Sequence, residues 1–219
     1  MNETARPLLL GHRGARRYAP ENTLEAFELA LGHGCDGFEF DVRLTADNRC
    51  IVCHDARLGG HVVSRSRYDR LPAAPCLPDV LAAFADRAFL DIELKVTGLE
   101  TDVTEALRSN PPRRGFCVSS FLPAILIRLH DLDNTLPLGL ICNTGRQLAR
   151  WRALPVQSVF LECGLALADV VGELHAAGKN VYVWTVNPER QMRQFAELGV
   201  EGIISDDTKL LARTLSQWH

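Results

Sequence analysis

Two histidines, His12 and His54, an arginine beside the first, Arg13, and an acid-x-acid pair, Glu39 and Asp41, fall within one stretch of chain, Leu10 to Asp55. A later segment, Leu90-Asp91-Ile92-Glu93-Leu94-Lys95, adds Glu93 and Lys95. Carboxylates are the oxygen ligands that hard cations such as Ca²⁺ and Mg²⁺ prefer. Arginine, by its planar fork, and lysine, as a point charge, suit the oxygens of a phosphate. Histidine titrates near neutral pH and so can both take and give a proton. Together these residues can bind one divalent cation through Glu39, Asp41 and Glu93, grip a phosphate through Arg13 and Lys95, and move protons through His12 and His54.

Such a set works only if the elements carrying it converge. In Phe38-Glu39-Phe40-Asp41-Val42 the apolar side chains fall on one face of a strand and both carboxylates on the other, and Leu90 to Lys95 repeats the division. A barrel of parallel strands needs this pattern: apolar residues pack outward on helices, and inward residues at the C-terminal strand ends line a mouth. A first strand around Leu8–Leu10 delivers His12, and Leu24, Phe27 and Leu31 keep helical spacing, with Asn22 and Glu25 placed as N-cap and capping-box partner. Ile51-Val52-Cys53 follows Asp41 too soon for a parallel crossover, so residues 43–53 read as a hairpin that returns His54 to the mouth. Residues 55–77, with Arg57, Arg65, Arg67 and Arg70 among glycines and prolines, read as a short inserted loop over the site. From Pro78 strands and helices alternate. The strands are expected at 88–94, 115–119, 136–141, 157–162, Val181 to Val186 and Gly202 to Ser205. Helices are expected near 122–131 and 145–152, around Leu167, Val170, Val171 and Leu174, after Asn187-Pro188, and around Leu210, Leu211 and Leu215. The fold class predicted is α/β, a (β/α)8 TIM barrel with a β-hairpin and short loop inserted after strand two, in one domain over residues 1–219.

The same residues admit plainer readings. The acids can be neutralised by Arg13, Arg43 and Lys95 in a polar core, although three inward carboxylates are costly to bury unpaired. One histidine can be catalytic and the other structural. Asp91 shares the acidic face but lies deeper, as a supporting partner, and Glu162 at the end of strand six is a further possible ligand. Phe121 and Trp184 at strand ends can pack on substrate or plug the barrel. Cys50 and Cys53 form a lone C-x-x-C with no second pair, which is weak support for zinc or redox chemistry.

Composition narrows the partners. With 47% hydrophobic and 23% charged residues the chain suits a globular protein with a sizeable core, and a net charge of −3 without a basic run argues against nucleic acid or an anionic membrane. The start, MNETARPLLLGHRG, lacks a secretory apolar stretch, and seven cysteines are an odd number for a disulfide framework. A cytoplasmic protein acting on a small molecule, without stable membrane association, is the expectation.

The ordered motifs HRG, PENT, E-x-D-V, T-x-D and HD, then I-E-L-K, S-x-F, V-W-T-V-N and G-I-I-S-D, resemble the glycerophosphodiester phosphodiesterase family of phospholipase-C-like barrels from about Leu8 to Asp206. By motif position the resemblance implies acid-base histidines at His12 and His54, metal carboxylates at Glu39, Asp41 and Glu93, and phosphate contacts at Arg13 and Lys95. It implies metal-dependent hydrolysis of glycerophosphodiesters to glycerol 3-phosphate and an alcohol. Ser205 stands where the family usually has threonine, and the segment after HD is shorter than usual. Alternatives on the same fold are action on lysophospholipids, a non-catalytic phosphate-binding barrel, and a phosphosugar isomerase or aldolase. The last commonly needs a Gly-rich phosphate cradle after strands seven and eight, which Val186-Asn187-Pro188 and Ser205-Asp206-Asp207 do not provide.

Overall fold

The computed structural model describes residues 6–216 and Trp218; the terminal His219, to which the sequence assigns no role, lies outside the described residues. Eight parallel strands close on themselves: β1 (Leu8–His12), β2 (Gly37–Leu44), β6 (Phe89–Leu94), β7 (Phe116–Ser120), β8 (Leu138–Cys142), β9 (Ser158–Glu162), β10 (Asn180–Trp184) and β11 (Gly202–Ser205). Closure comes from β1, which pairs with β11 on one side and β2 on the other. Between them run α1 (Leu24–Gly32), α2 (Leu77–Phe84), α3 (Glu100–Ser109), α4 (Pro123–Leu132), α5 (Gly145–Leu148), α6 (Ala168–Ala176) and α7 (Glu189–Glu197), with α8 (Thr208–Leu215) last. This is the predicted TIM barrel.

Strand alternation divides the core in two. Outward residues meet the helices: Phe27 of α1 stacks on Phe38 at 4.2 Å between ring centroids, and Phe84 of α2 meets Phe38 edge-on at 5.1 Å. Inward residues form a separate cluster of Leu10, Phe89, Cys117, Ile141, Phe160, Tyr182 and Ile204. Tyr182 lies stacked between Phe160, at 4.5 Å, and Phe89, at 6.1 Å. Such rings fit inside only because Gly139 and Gly202 face them, where a Cβ would drive into Phe160 and Tyr182. This apolar plug closes the barrel below the acidic layer.

The hairpin after β2 is present: β3 (Cys50–Val52) runs back antiparallel, with Val42 opposite Val52. The segment beyond differs from a loop over the mouth. It folds into a second small hairpin, β4 (Arg57–Leu58) with β5 (His61–Val62), and two 3-10 turns at Val63–Arg65 and Tyr68–Arg70. Ile51, Cys53 and Val63 are its own buried core, with Leu58, Tyr68 and Leu71 packed against them. That apolar content, scattered without a helix or strand period, draws the segment to the flank of the barrel.

Three further expectations are corrected. The cap of α1 is Thr23, whose hydroxyl accepts from the Ala26 amide at 3.1 Å, because Asn22 is drawn inward to Asp41. The segment 145–152 divides into a single turn, α5, and a 3-10 turn at Trp151–Ala153. Leu167 stands 57% exposed just before α6 rather than in its buried face, and Leu210 is only partly buried.

Candidate active site

Adjacent strands in register assemble the acidic layer. His12 lies opposite Glu39, Glu39 opposite Asp91, and Asp41 opposite Glu93. Since β3 pairs with β2, the Cys53 amide donates to the Asp41 carbonyl at 2.9 Å and His54 follows at the rim. One cavity of about 120 Å³ is lined by His12, Arg13, Glu39, His54, Glu93 and Lys95 on its polar side. Phe121, Ile141, Phe160, Trp184 and Ile204 form an apolar side. None of residues 55–77 lines it.

Glu39, Asp41 and Glu93 each present an oxygen within 4.8 Å of the others, and all three are buried. Glu39 Oε1, Asp41 Oδ1 and Glu93 Oε1 are buried without a hydrogen-bond partner among the described residues. The Lys95 ammonium is beside two of them, 2.6 Å from Glu93 Oε1 and 3.3 Å from Asp41 Oδ1, as ion pairs that lack hydrogen-bond geometry. Burial, reinforced by the neighbouring acids, pushes Glu39 well above the usual carboxylate range. Burial likewise raises Glu93 to about 7 against the pull of Lys95. Asp41 is lowered: burial opposes, but Lys95, the Asn22 amide and Arg13 outweigh it. Buried carboxylate oxygens without a hydrogen-bond partner, converging from two strands, could hold a hard divalent cation.

Asp91 stands apart from that trio. Ser119 Oγ donates to it at 2.6 Å and burial raises it well above its ordinary value, so it supports the cluster from beneath. Glu162 turns away, its Oε2 accepting the Gly164 amide at 2.7 Å. Arg43 does not neutralise the acids; its Nε donates to the His54 carbonyl at 2.7 Å and so fixes the turn that carries the histidine.

Arg13 sits in the left-handed backbone region, φ 55°, as does Asn22, φ 59°, and the Asn22 amide donates to the Arg13 carbonyl at 3.1 Å. This strained pair is held by its own products: the Arg13 amide donates to Glu39 Oε2 at 2.9 Å and Asn22 Nδ2 to Asp41 Oδ2 at 2.9 Å. The Arg13 guanidinium reaches Glu21 at 2.8 Å and Asp41 at 3.3 Å. Gly14, at φ 78°, permits the turn because its α-carbon packs on the Ala26 backbone, where any Cβ would collide.

The two histidines differ in setting. His12 is 2.7 Å from Asp206 through Nδ1, and Asp206 in turn accepts from Asn187 Nδ2 at 2.8 Å. Burial pushes the His12 imidazole below its usual value despite Asp206. Burial also works against ionised Asp206, but the His12 and Asn187 hydrogen bonds and Arg16 bring it down to about 2. His54 Nδ1 pairs instead with the exposed Asp55 at 2.8 Å. Phe121 and Trp184 meet edge-on at 5.6 Å, and Trp184 Nε1 donates to the Phe160 carbonyl, so both line the cavity wall while closing on the plug. Asp206, Asn187 and Glu21 carry no role in the sequence reading, and Asn22 only that of a helix cap. Their signal lay in G-I-I-S-D and V-W-T-V-N, whose polar residues follow strand ends, and in PENT, just ahead of α1.

A parallel barrel with acids, cations and histidines at one mouth is the arrangement of a barrel enzyme's site. The model of the glycerophosphoryl diester phosphodiesterase family matches residues 12–75 and 74–210, and the chain belongs to that family. It is a phosphoric diester hydrolase. The chain is similar to a glycerophosphodiester phosphodiesterase of Bacillus altitudinis, 31% identical over 90% of this chain and 94% of the relative. Among solved structures it is similar to a glycerophosphodiester phosphodiesterase of Agrobacterium tumefaciens, with TM-score 0.82, 25% identity and coverage of 94% of this chain and 99% of that one. A phosphodiesterase of Oleispira antarctica, solved in complex with the product sn-glycerol-3-phosphate, shares the fold at TM-score 0.86 and 23% identity, over 97% of this chain and 98% of that one.

Proposed function

We propose that this chain hydrolyses glycerophosphodiesters to glycerol 3-phosphate and an alcohol, using one Ca²⁺ or Mg²⁺ held by Glu39, Asp41 and Glu93. The observation that carries the reading is charge. Three buried carboxyl groups, Glu39, Asp41 and Glu93, converge within 4.8 Å, and among the described residues the cations set beside them in the site are Arg13 and Lys95. An anionic diester would be repelled from such a place unless two further positive charges arrived with it. A divalent cation held by Glu39, Asp41 and Glu93 would supply them, and would provide Lewis-acid chemistry toward the phosphoryl oxygens.

The chain's own residues then have distinct tasks. Arg13 and Lys95 bind the non-bridging oxygens, Arg13 preset by its left-handed backbone. His12 and His54 exchange protons with the nucleophile and the leaving alkoxide. Asp206 keeps the proton of His12 on Nδ1, so that Nε2 is the atom free for exchange. Phe121 and Trp184 offer the carbon skeleton of the glycerol an apolar wall. We further propose that residues 1–219 act as one barrel domain in the cytoplasm; the free thiols of Cys35, Cys50, Cys53, Cys76, Cys117, Cys142 and Cys163 suit a reducing compartment. Among the described residues no helix is long and apolar enough to cross a membrane.

Hydrolysis of soluble glycerophosphodiesters, followed by release of glycerol 3-phosphate with and without chelator, tests the reading. Turnover abolished by chelation and restored by Ca²⁺ or Mg²⁺ is expected; full turnover in chelator would refute the metal role.

A further inference from the structure

The central cavity is too small for a whole diester. An apolar cavity of about 150 Å³ holds a single benzene. A glycerophosphodiester is far larger than benzene, and the enclosed space here is about 120 Å³. Only the phosphate and the atoms next to it are therefore enclosed, and the diester must continue beyond the rim. A groove of about 260 Å³ begins where the cavity ends, and His54 lines both. A second link is Glu21, which lines the groove while holding the cavity's Arg13 at 2.8 Å.

The walls of the groove are set by two corrected features of the fold. One wall is Pro20 to Thr23, fixed by the Asn22 to Asp41 contact. The other is the inserted segment, through Leu58 and Ala73 to Pro75, which its own small core holds on the flank of the barrel. The floor is Val52 to Asp55. Charge within it is balanced and already engaged. Glu21 is taken by Arg13 and Arg16, Asp55 by His54, and Arg57 donates to the Gly60 carbonyl.

We propose that this groove is the leaving-group subsite, receiving the polar alcohol of the diester, an amino alcohol or a polyol, and selecting it by size rather than by charge. The proposal rests on the hydrolytic reading above and deepens it. The scissile bond to the alcohol oxygen then lies at the junction, beside His54. The segment 55–77 acts as a side wall that limits head-group bulk, in place of a lid.

The test is Ala73→Trp, at an exposed wall position outside the catalytic set, with Ala73→Ser as a variant that adds no bulk. kcat/KM is measured on glycerophosphoethanolamine, glycerophosphocholine and glycerophosphoinositol, with the inhibition constant of glycerol 3-phosphate, which lacks the alcohol arm. Ala73→Trp should lower kcat/KM for the inositol diester at least about tenfold more than for the ethanolamine diester, in the range one mis-sized group gives in a pocket. The inhibition constant should stay within about twofold, and Ala73→Ser should follow the parent. An equal effect on all three diesters, no effect, or a weakened glycerol 3-phosphate would overturn the groove while leaving the hydrolytic reading standing. A parent that cleaves none of the three would overturn both.

Discussion

Asp206 and His12, 194 residues apart in sequence, meet at 2.7 Å, and Asp206 is held ionised by a partner of its own, Asn187. An ionised carboxylate can only accept, so the imidazole must place its proton on Nδ1. Asn187 completes the lock by accepting the Asp206 amide at 3.0 Å and the Ser205 hydroxyl at 3.2 Å.

Replacing that carboxylate should therefore impair turnover without emptying the metal site. Asp206→Asn is expected to lower kcat by roughly 10²- to 10⁴-fold, the range of a general acid-base contribution, and to alter the pH profile. Cation affinity, read by calorimetry, should be unchanged, and Asp206→Glu should recover part of the rate. A variant at parental rate would remove Asp206 from the mechanism.

Glu39→Ala, Asp41→Ala and Glu93→Ala should each weaken cation binding and activity together, since each removes one anionic oxygen from a shared ion. His12→Ala and His54→Ala should bind the cation nearly as the parent does and fail in turnover. Calorimetric titration with Ca²⁺ and Mg²⁺ beside a rate assay separates the two groups, and any acid variant with full activity and no bound ion contradicts the shared site.

The metal-free protein should lose stability as pH rises. Glu93 is raised in the folded state from 4.5 to about 7, and Glu39 is raised too. Between those values the folded chain holds protons that the unfolded chain has released, so the unfolding free energy falls with increasing pH. In chelator, Tm should decline from pH 5 toward pH 8, and a divalent cation should reverse the decline at the upper end. The same cation should displace protons at neutral pH, visible as a binding enthalpy that depends on the buffer. A Tm indifferent to chelator across this range would contradict the assignment.

Gly202→Ala probes the plug. The added methyl would meet the Tyr182 ring, which stacked neighbours on both sides keep from moving away. Overpacking of this kind costs about 1–3 kcal/mol. For a chain of this size that is a fall in Tm of roughly 2–12 °C, measurable by calorimetry. An unchanged Tm would mean the interior can yield.

Sequence alone determined the strands, their inward and outward faces and the order of the barrel, because strand alternation and helical spacing are local consequences of burial. The facing acids of Phe38 to Val42 and Leu90 to Lys95 were legible for that reason, and so was the return of His54, since too few residues separate Asp41 from Ile51 for a crossover. Tertiary structure decided what depends on closure. Only when β1 meets β11 does Asp206 reach His12, and no local pattern announces a contact across 194 residues. The cap of α1 went to Thr23 because Asp41, distant in sequence, claimed Asn22, a competition that propensity cannot see. The segment 55–77 became a wall because its few apolar residues found Ile51 and Cys53 beside the barrel. Which surface a loop covers is set by where its side chains can be buried, and that is known only once the rest of the chain has folded.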